Sequence, residues 1–312
     1  MIERPLQGIE PWVTLFSESS LPILRHTRRQ LEEMEANMDN ISARELSQIV
    51  LQDPILSVRV LAYIQPQRGR HLQHDITTIG SAIMMSGVEP FFNRFHELPT
   101  IENALKECTP QAWLGVMQVI RRVQRAAEYA YDWAVWRHDM NAEEVRLAAL
   151  LHDLSELLLW CFAPKLALEI KQLLNDNKGM RSNDAQQQVL GFTLHDLQLL
   201  LCRVWHLPEL LSKLMDDAHA DSARCKNVIL AVRLARHSAQ GWNDAALPDD
   251  YAEIGELLRI SADAVMLRVG APPELIKPNM QIPASMLEKT VATSENPPPS
   301  LASTANEKGS SA

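Results

Sequence analysis

Four His-Asp dipeptides punctuate the chain: His74-Asp75, His138-Asp139, His152-Asp153 and His195-Asp196. A neutral imidazole and a carboxylate are sound ligands for a hard or borderline divalent metal. Hydrolytic metal chemistry asks for more, namely one or two further side chains and an open position for water. Context separates the four pairs. The first lies in a polar loop and the second in a helix-to-helix turn. Only His152-Asp153 is embedded in a strongly apolar helical segment, LAALLHDLSELLLW. A polar pair buried there needs partners, because an unpaired one is costly. It reads either as a hydrogen-bonded structural pair closing an interhelical gap or as half of a metal site. His195-Asp196 in VLGFTLHDLQLLL and His206 in VWHLPELL approach it only if the later helices fold back. His219 and His237 have less context still. Glu156, one turn after His152, is either its outer partner or a solvated carboxylate.

Basic clusters stand at Arg25/Arg28/Arg29, Arg121/Arg122/Arg125 and Arg233/Arg236. On an acidic protein they read as solvated faces paired with nearby Asp or Glu, the other reading being a phosphate or partner site. The 11 glycines are sparse, and the closest pair is Gly80 and Gly87. That spacing excludes both the dinucleotide and the P-loop phosphate cradle. No GxSxG elbow is present, and nothing marks a nucleophile among Cys108, Cys161, Cys202 and Cys225. The four cysteines stand far apart, as reduced thiols would, and form no CxxC pair.

These residues must be held by helices. The apolar residues recur at three- and four-residue spacing nearly throughout, and strand-like alternation is hard to find. Ser42 and Glu45 spell a capping box, flanked by Ile41 and Leu46 as a hydrophobic staple. Asp53-Pro54 spells a second start, with Asp as cap and Pro at the first helical position. Asn141 with Glu144 opens a helix that should run to about Phe162. Polar loops are expected at 65–78, 175–184 and 241–250. Trp113, Trp133, Trp136, Trp160 and Trp205 fall at helical spacing and read mostly as core.

The 312 residues are 46% hydrophobic and 22% charged, an ordinary globular composition. A net charge of −9 and a pI of about 5.6 argue against a protein that works by coating nucleic acid. No apolar run approaches the roughly 20 residues of a membrane helix, and no apolar leader opens the chain. The expected organisation is an extension over 1–20, a helical bundle over 21–108, a larger one over 109–276, and a disordered Pro/Ser/Thr-rich tail over 277–312.

Five segments then fall in the order of a known family. Leu21-Pro22 is similar to its opening LP. QIVLQDPIL over 48–56 resembles its ISQDPxL. ITTIGSAIMMSG over 76–87 resembles its ISSLxxAIxxLG helix. LLHDLSEL over 150–157 resembles LLHDIGKL. Leu190-Gly191-Phe192-Thr193 followed by Trp205-His206-Leu207-Pro208 looks like its LGxxHxxxGxxLxxxWxLP stretch. The chain thus resembles the HDOD proteins, noncatalytic relatives of the HD metal-dependent phosphohydrolases, from about Leu21 to Leu214. It departs from them in Ile64-Gln65-Pro66 for ANS and in Ser155-Glu156 for Gly-Lys. The active HD enzymes need an earlier helical His, and the comparable place is Gly115. They also need a late Asp, and the comparable place is Val232. Neither residue ligates a metal, so His152 and Asp153 form a vestigial pair unless His138, His195 or His206 is recruited.

The resemblance implies an all-α protein of two packed helical bundles, the second a degenerate HD-type bundle. It implies a bacterial, cytoplasmic regulatory or signal-transduction role without turnover, exerted through a protein partner or a small ligand. No cofactor, nucleic acid or membrane partner is expected. The rival is a metal-dependent phosphohydrolase using His152 and Asp153 with a divalent metal. A third reading is a binding module that holds an anion, such as a nucleotide, on one of the arginine clusters.

Overall fold

The computed structural model describes residues 1–67, 75–216 and 222–276. The helices among them are, in order, α1 Glu10–Glu18, α2 Arg25–Glu35, α3 Ala43–Val50, α4 Pro54–Ile64, α5 Ile79–Ser86, α6 Val88–Phe95, α7 Ile101–Ala104, α8 Pro110–Trp136, α9 Ala142–Leu151, α10 Leu154–Phe162, α11 Pro164–Asp176, α12 Ser182–Leu190, α13 Leu194–Val204, α14 Glu209–Leu214, α15 Ala223–His237, α16 Leu247–Leu258 and α17 Ala262–Arg268. No strand occurs among the described residues. One isolated parallel bridge pairs Ile23 with Thr100.

Local chemistry sets the helix starts. At α3, Ser42 Oγ accepts from the Glu45 amide at 3.2 Å, and Glu45 Oε2 accepts from the Ser42 amide at 2.9 Å. The capping box read from the sequence therefore forms. At α4, Asp53 Oδ1 accepts from the amides of Ile55 and Leu56, both at 3.0 Å, with Pro54 beginning the helix. The other oxygen, Oδ2, accepts from the Leu24 amide at 2.7 Å, so one buried carboxylate fixes the starts of both α2 and α4. Burial pushes the Asp53 pKa up, opposed by the amides of Leu56 and Leu24, the Thr27 hydroxyl and the Ile55 amide.

Two helical bundles pack together. The smaller runs from α2 to α7. The larger is built on α8, whose 27 residues carry α9, α10 and α15 on its flanks. The bundles meet where α4 touches α8 and α9. Two polar ties cross that seam: Gln124 Nε2 donates to the Gln52 carbonyl at 2.6 Å, and the Thr77 hydroxyl donates to Glu144 Oε1 at 2.5 Å. The first helix belongs to the core of the larger bundle. It packs on α13, with Trp12 and Phe16 fully buried. The Trp12 ring meets Phe192 at 6.4 Å and the Phe16 ring meets Phe162 at 5.4 Å.

The structure corrects three local readings. The apolar segment opening at Asn141 is not one helix to Phe162. It breaks at His152-Asp153, where Asp153 leaves helical geometry (φ −103, ψ 28). Its carboxylate is engaged by groups on neighbouring helices rather than by its own first turn. Asn141 lends no side-chain cap either, because Asp139 Oδ1 takes the Asn141 amide at 2.9 Å. The expected loop at 241–250 is shorter than read, since α16 already begins at Leu247 with Pro248 in its first turn. Residues 68–74, which include His74, and His219 and the 277–312 segment lie outside the described residues. Among the described residues no single helix is long and apolar enough to cross a membrane.

Candidate functional site

His152 and Asp153 sit at the junction of α9 and α10, both largely buried, with side chains 11% and 7% exposed. His152 Nδ1 lies 2.9 Å from Asp153 Oδ1. From α8, Arg122 Nη2 reaches Asp153 Oδ2 at 2.7 Å while its Nε donates to the same oxygen at 3.0 Å. The same guanidinium donates to Glu156 Oε2 at 2.6 Å. From α15, Arg236 Nη2 donates to Asp153 Oδ1 at 3.3 Å. Two carboxylates and two guanidiniums thus balance in one cluster spanning three helices. Burial alone would raise the Asp153 pKa. The charges of Arg122 and Arg236 and the His152 hydrogen bond overcome it and hold the carboxyl well below the usual range. The same carboxylates hold Arg122 firmly protonated despite its burial.

This donor set does not fit a divalent metal. Both Asp153 oxygens already accept from cations or from imidazole, and an incoming ion would meet two positive charges at hydrogen-bond distance. Among the described residues, no three His, Cys, Asp or Glu side chains gather where a metal could be held. The three histidines considered as recruits are placed elsewhere. His195 faces Asp216 at 3.6 Å. His138 and His206 are exposed turn residues with φ of 56 and 52. Asp196 serves its own helix start, where Thr193 Oγ1 accepts from its amide at 3.1 Å.

The contacts to Asp153 come from Arg122 and Arg236 rather than from Gly115 or Val232. A Cβ at Gly115 would stand 2.3 Å from a carbon of the Trp160 ring, so the absence of a side chain there lets α8 and α10 approach. The residue of α8 that meets Asp153 is Arg122, two turns further on. Val232 is buried, and the residue of α15 that reaches Asp153 is Arg236, one turn later. The Ser155 that replaces the family glycine is also used. Its hydroxyl donates to the Leu194 carbonyl at 2.8 Å, its amide donates to Gln198 Oε1 at 2.9 Å, and Gln198 Nε2 returns to the Leu151 carbonyl at 3.0 Å. This network ties the His-Asp junction to α13.

The arginine clusters are neutralised in part. Arg28 pairs with Glu32 at 2.8 Å. Arg233 pairs with Asp250 and with Glu253, each at 3.0 Å, and His237 Nδ1 lies 2.5 Å from Asp250 Oδ2. Sequence reasoning placed Arg122 with its exposed neighbours Arg121 and Arg125. A signal for its different fate was present: Val119, Val123 and Ala126, all buried, lie three, one and four residues from it, which puts Arg122 on the apolar stripe of α8.

The fold recurs in solved structures. A response regulator, MmoQ, from Methylococcus capsulatus str. Bath aligns with a TM-score of 0.61 at 18% identity, over 82% of this chain and 99% of that one. A virulence factor from Campylobacter jejuni subsp. jejuni aligns with a TM-score of 0.61 at 19% identity, over 85% of this chain and 93% of that one. At such identities the likeness is one of fold. Among curated proteins none matches. The HDOD domain model matches residues 21–221, close to the span over which the five sequence segments lie and well over half of the chain. With those segments, the two-bundle fold and the His-Asp junction in agreement, the chain belongs to the HDOD domain family.

Proposed function

We propose that this chain is a noncatalytic regulatory protein that acts by binding a protein partner or a small ligand in a bacterial signalling pathway. The carrying observation is the pair of guanidiniums on Asp153. Arg122 and Arg236 supply the positive charge that a hydrolytic metal would bring, and they supply it without an open position for water. The cluster then serves to lock α8, α10 and α15 together. Family membership supports the reading, as does the fold shared with the response regulator MmoQ. The net charge of −9 favours protein or small-molecule partners over nucleic acid.

Metal analysis and turnover assays on chain purified without chelator test this reading. No stoichiometric metal is expected, and no hydrolysis above blank of nucleotides or phosphomonoesters with added Mn, Fe or Zn. Stoichiometric metal that is lost in His152→Ala, together with hydrolysis lost in the same variant, would establish the phosphohydrolase instead.

A further inference from the structure

Two further arginines, Arg59 and Arg94, line a common cleft. Where α1, α4, α6 and the end of α13 converge, a cleft of about 210 Å³ is lined by Ser17, Arg59, Tyr63, Arg94, Phe95 and Trp205 among others. Arg28, Arg122, Arg224, Arg233 and Arg268 each meet a carboxylate. Among the described residues, Arg59 and Arg94 meet none. Arg59 Nη1 donates to the Leu21 carbonyl at 2.6 Å, and the Arg94 guanidinium lies 5.4 Å from the centre of the Tyr63 ring. One acid that acts on Arg59 is Asp53, but its oxygens are already shared among the amides of Leu24, Ile55 and Leu56.

Burial and the like charge of Arg94 both press on Arg59, lowering its pKa. Arg59 and Arg94 thus line one cleft with no carboxylate among the described residues in contact with either guanidinium, although the charge of Asp53 acts on Arg59. They form a ready receptor for a dianion. Beside them, the Ser17 hydroxyl is buried without a hydrogen-bond partner, a further group that a ligand oxygen can satisfy. The Trp205 ring is only partly covered, and Phe95 is buried against Tyr63, so one wall of the cleft is flat and apolar.

We propose that this cleft binds a small organic phosphate carrying a planar ring, with Arg59 and Arg94 on the phosphate and Trp205 against the ring. A phosphomonoester carries about −1.5 to −2 charge near neutral pH, which matches two guanidiniums better than a single carboxylate does. The cleft draws its walls from both bundles, so a ligand there touches both at once. The inference deepens the reading of the chain as a noncatalytic binding protein and rests on it.

Isothermal titration of the full chain at low salt with AMP, phenyl phosphate, adenosine and inorganic phosphate tests it. Saturable binding of AMP or phenyl phosphate is expected, stronger than that of adenosine or of phosphate alone. The two esters separate a nucleotide ligand from another aromatic phosphate. Arg94→Gln should weaken binding by roughly tenfold, the loss of one charge-assisted hydrogen bond. Arg94 is exposed and bonds only to the Tyr63 ring, so this variant keeps its fold even if Arg59→Gln does not. Trp205→Ala should weaken AMP binding but not phosphate binding. No saturable binding of either ester, or binding unchanged in Arg94→Gln, would overturn the site and leave the noncatalytic reading intact. Turnover of AMP in the same titration would overturn the noncatalytic reading on which the proposal stands.

Discussion

Arg122 Nη2 lies 2.7 Å from Asp153 Oδ2 and 2.6 Å from Glu156 Oε2, so one guanidinium holds two carboxylates of the same helical turn. Arg236 completes the contact from a third helix. Asp153→Asn removes the charge that both arginines face. It should destabilise the fold by about 3–5 kcal/mol, the usual result of breaking a buried pair from one side. Urea unfolding measures this. In a cycle with Arg122→Met, the double variant should lose less than the sum of the single losses. Additive losses would show that the two residues are not coupled.

The same cluster sets a pH response. Asp153 ionises more readily in the fold than its ordinary value of 3.8, because Arg122, Arg236 and His152 outweigh burial. A depressed carboxylate pKa stabilises above the unfolded value, and that stability is lost as the pH falls through the folded one. The stability gap between wild type and Asp153→Asn should therefore stay constant from neutral pH down to about pH 5 and then narrow in stronger acid. A gap that widens in acid would mean that the carboxyl is protonated in the native state.

Gly115→His places a side chain where an active HD enzyme would be expected to carry a ligand. Here the space belongs to Trp160, 2.3 Å from the new Cβ. Overpacking of this kind costs about 1–3 kcal/mol or more. The variant should melt lower and acquire no metal. An unchanged Tm with stoichiometric metal would mean that α8 can shift its register against α10.

Ser42→Ala removes the hydroxyl that accepts the Glu45 amide. A loss of about 1 kcal/mol is expected from the missing cap. The denaturant midpoint should fall without a change in m-value. An unmoved midpoint would show that α3 does not depend on its box.

Trp12 is fully buried in contact with Phe192, although it precedes the span of the family model. Trp12→Ala should cost about 3–5 kcal/mol, as for other large core truncations. A cost below about 1 kcal/mol, typical of surface sites, would show that α1 is a detachable arm.

The readable parts of the fold were those encoded at short range. The Ser42–Glu45 box and the Asp53-Pro54 start each lie within four residues, and both formed as the residue types require. The helical class followed from periodicity, which needs no knowledge of packing. The His-Asp cluster depends instead on contacts across 31 and 83 residues, from Asp153 to Arg122 and to Arg236. Which face of α8 turns toward α10 is decided by how the helices pack, with Trp160 seated on Gly115. The sequence showed a polar pair in apolar surroundings that needed partners, and could not show that those partners were arginines. Arg59 and Arg94 were invisible for the same reason, being 35 positions apart in sequence and neighbours only in space.

The parallel bridge near the start of the smaller bundle has a mechanical meaning. The Ile23 amide donates to the Pro99 carbonyl at 2.9 Å, and the Ile101 amide donates to the Ile23 carbonyl at 2.8 Å. The backbone therefore enters that bundle and leaves it through a single doorway, stitched shut by two amides. A pull on either thread is shared by the other.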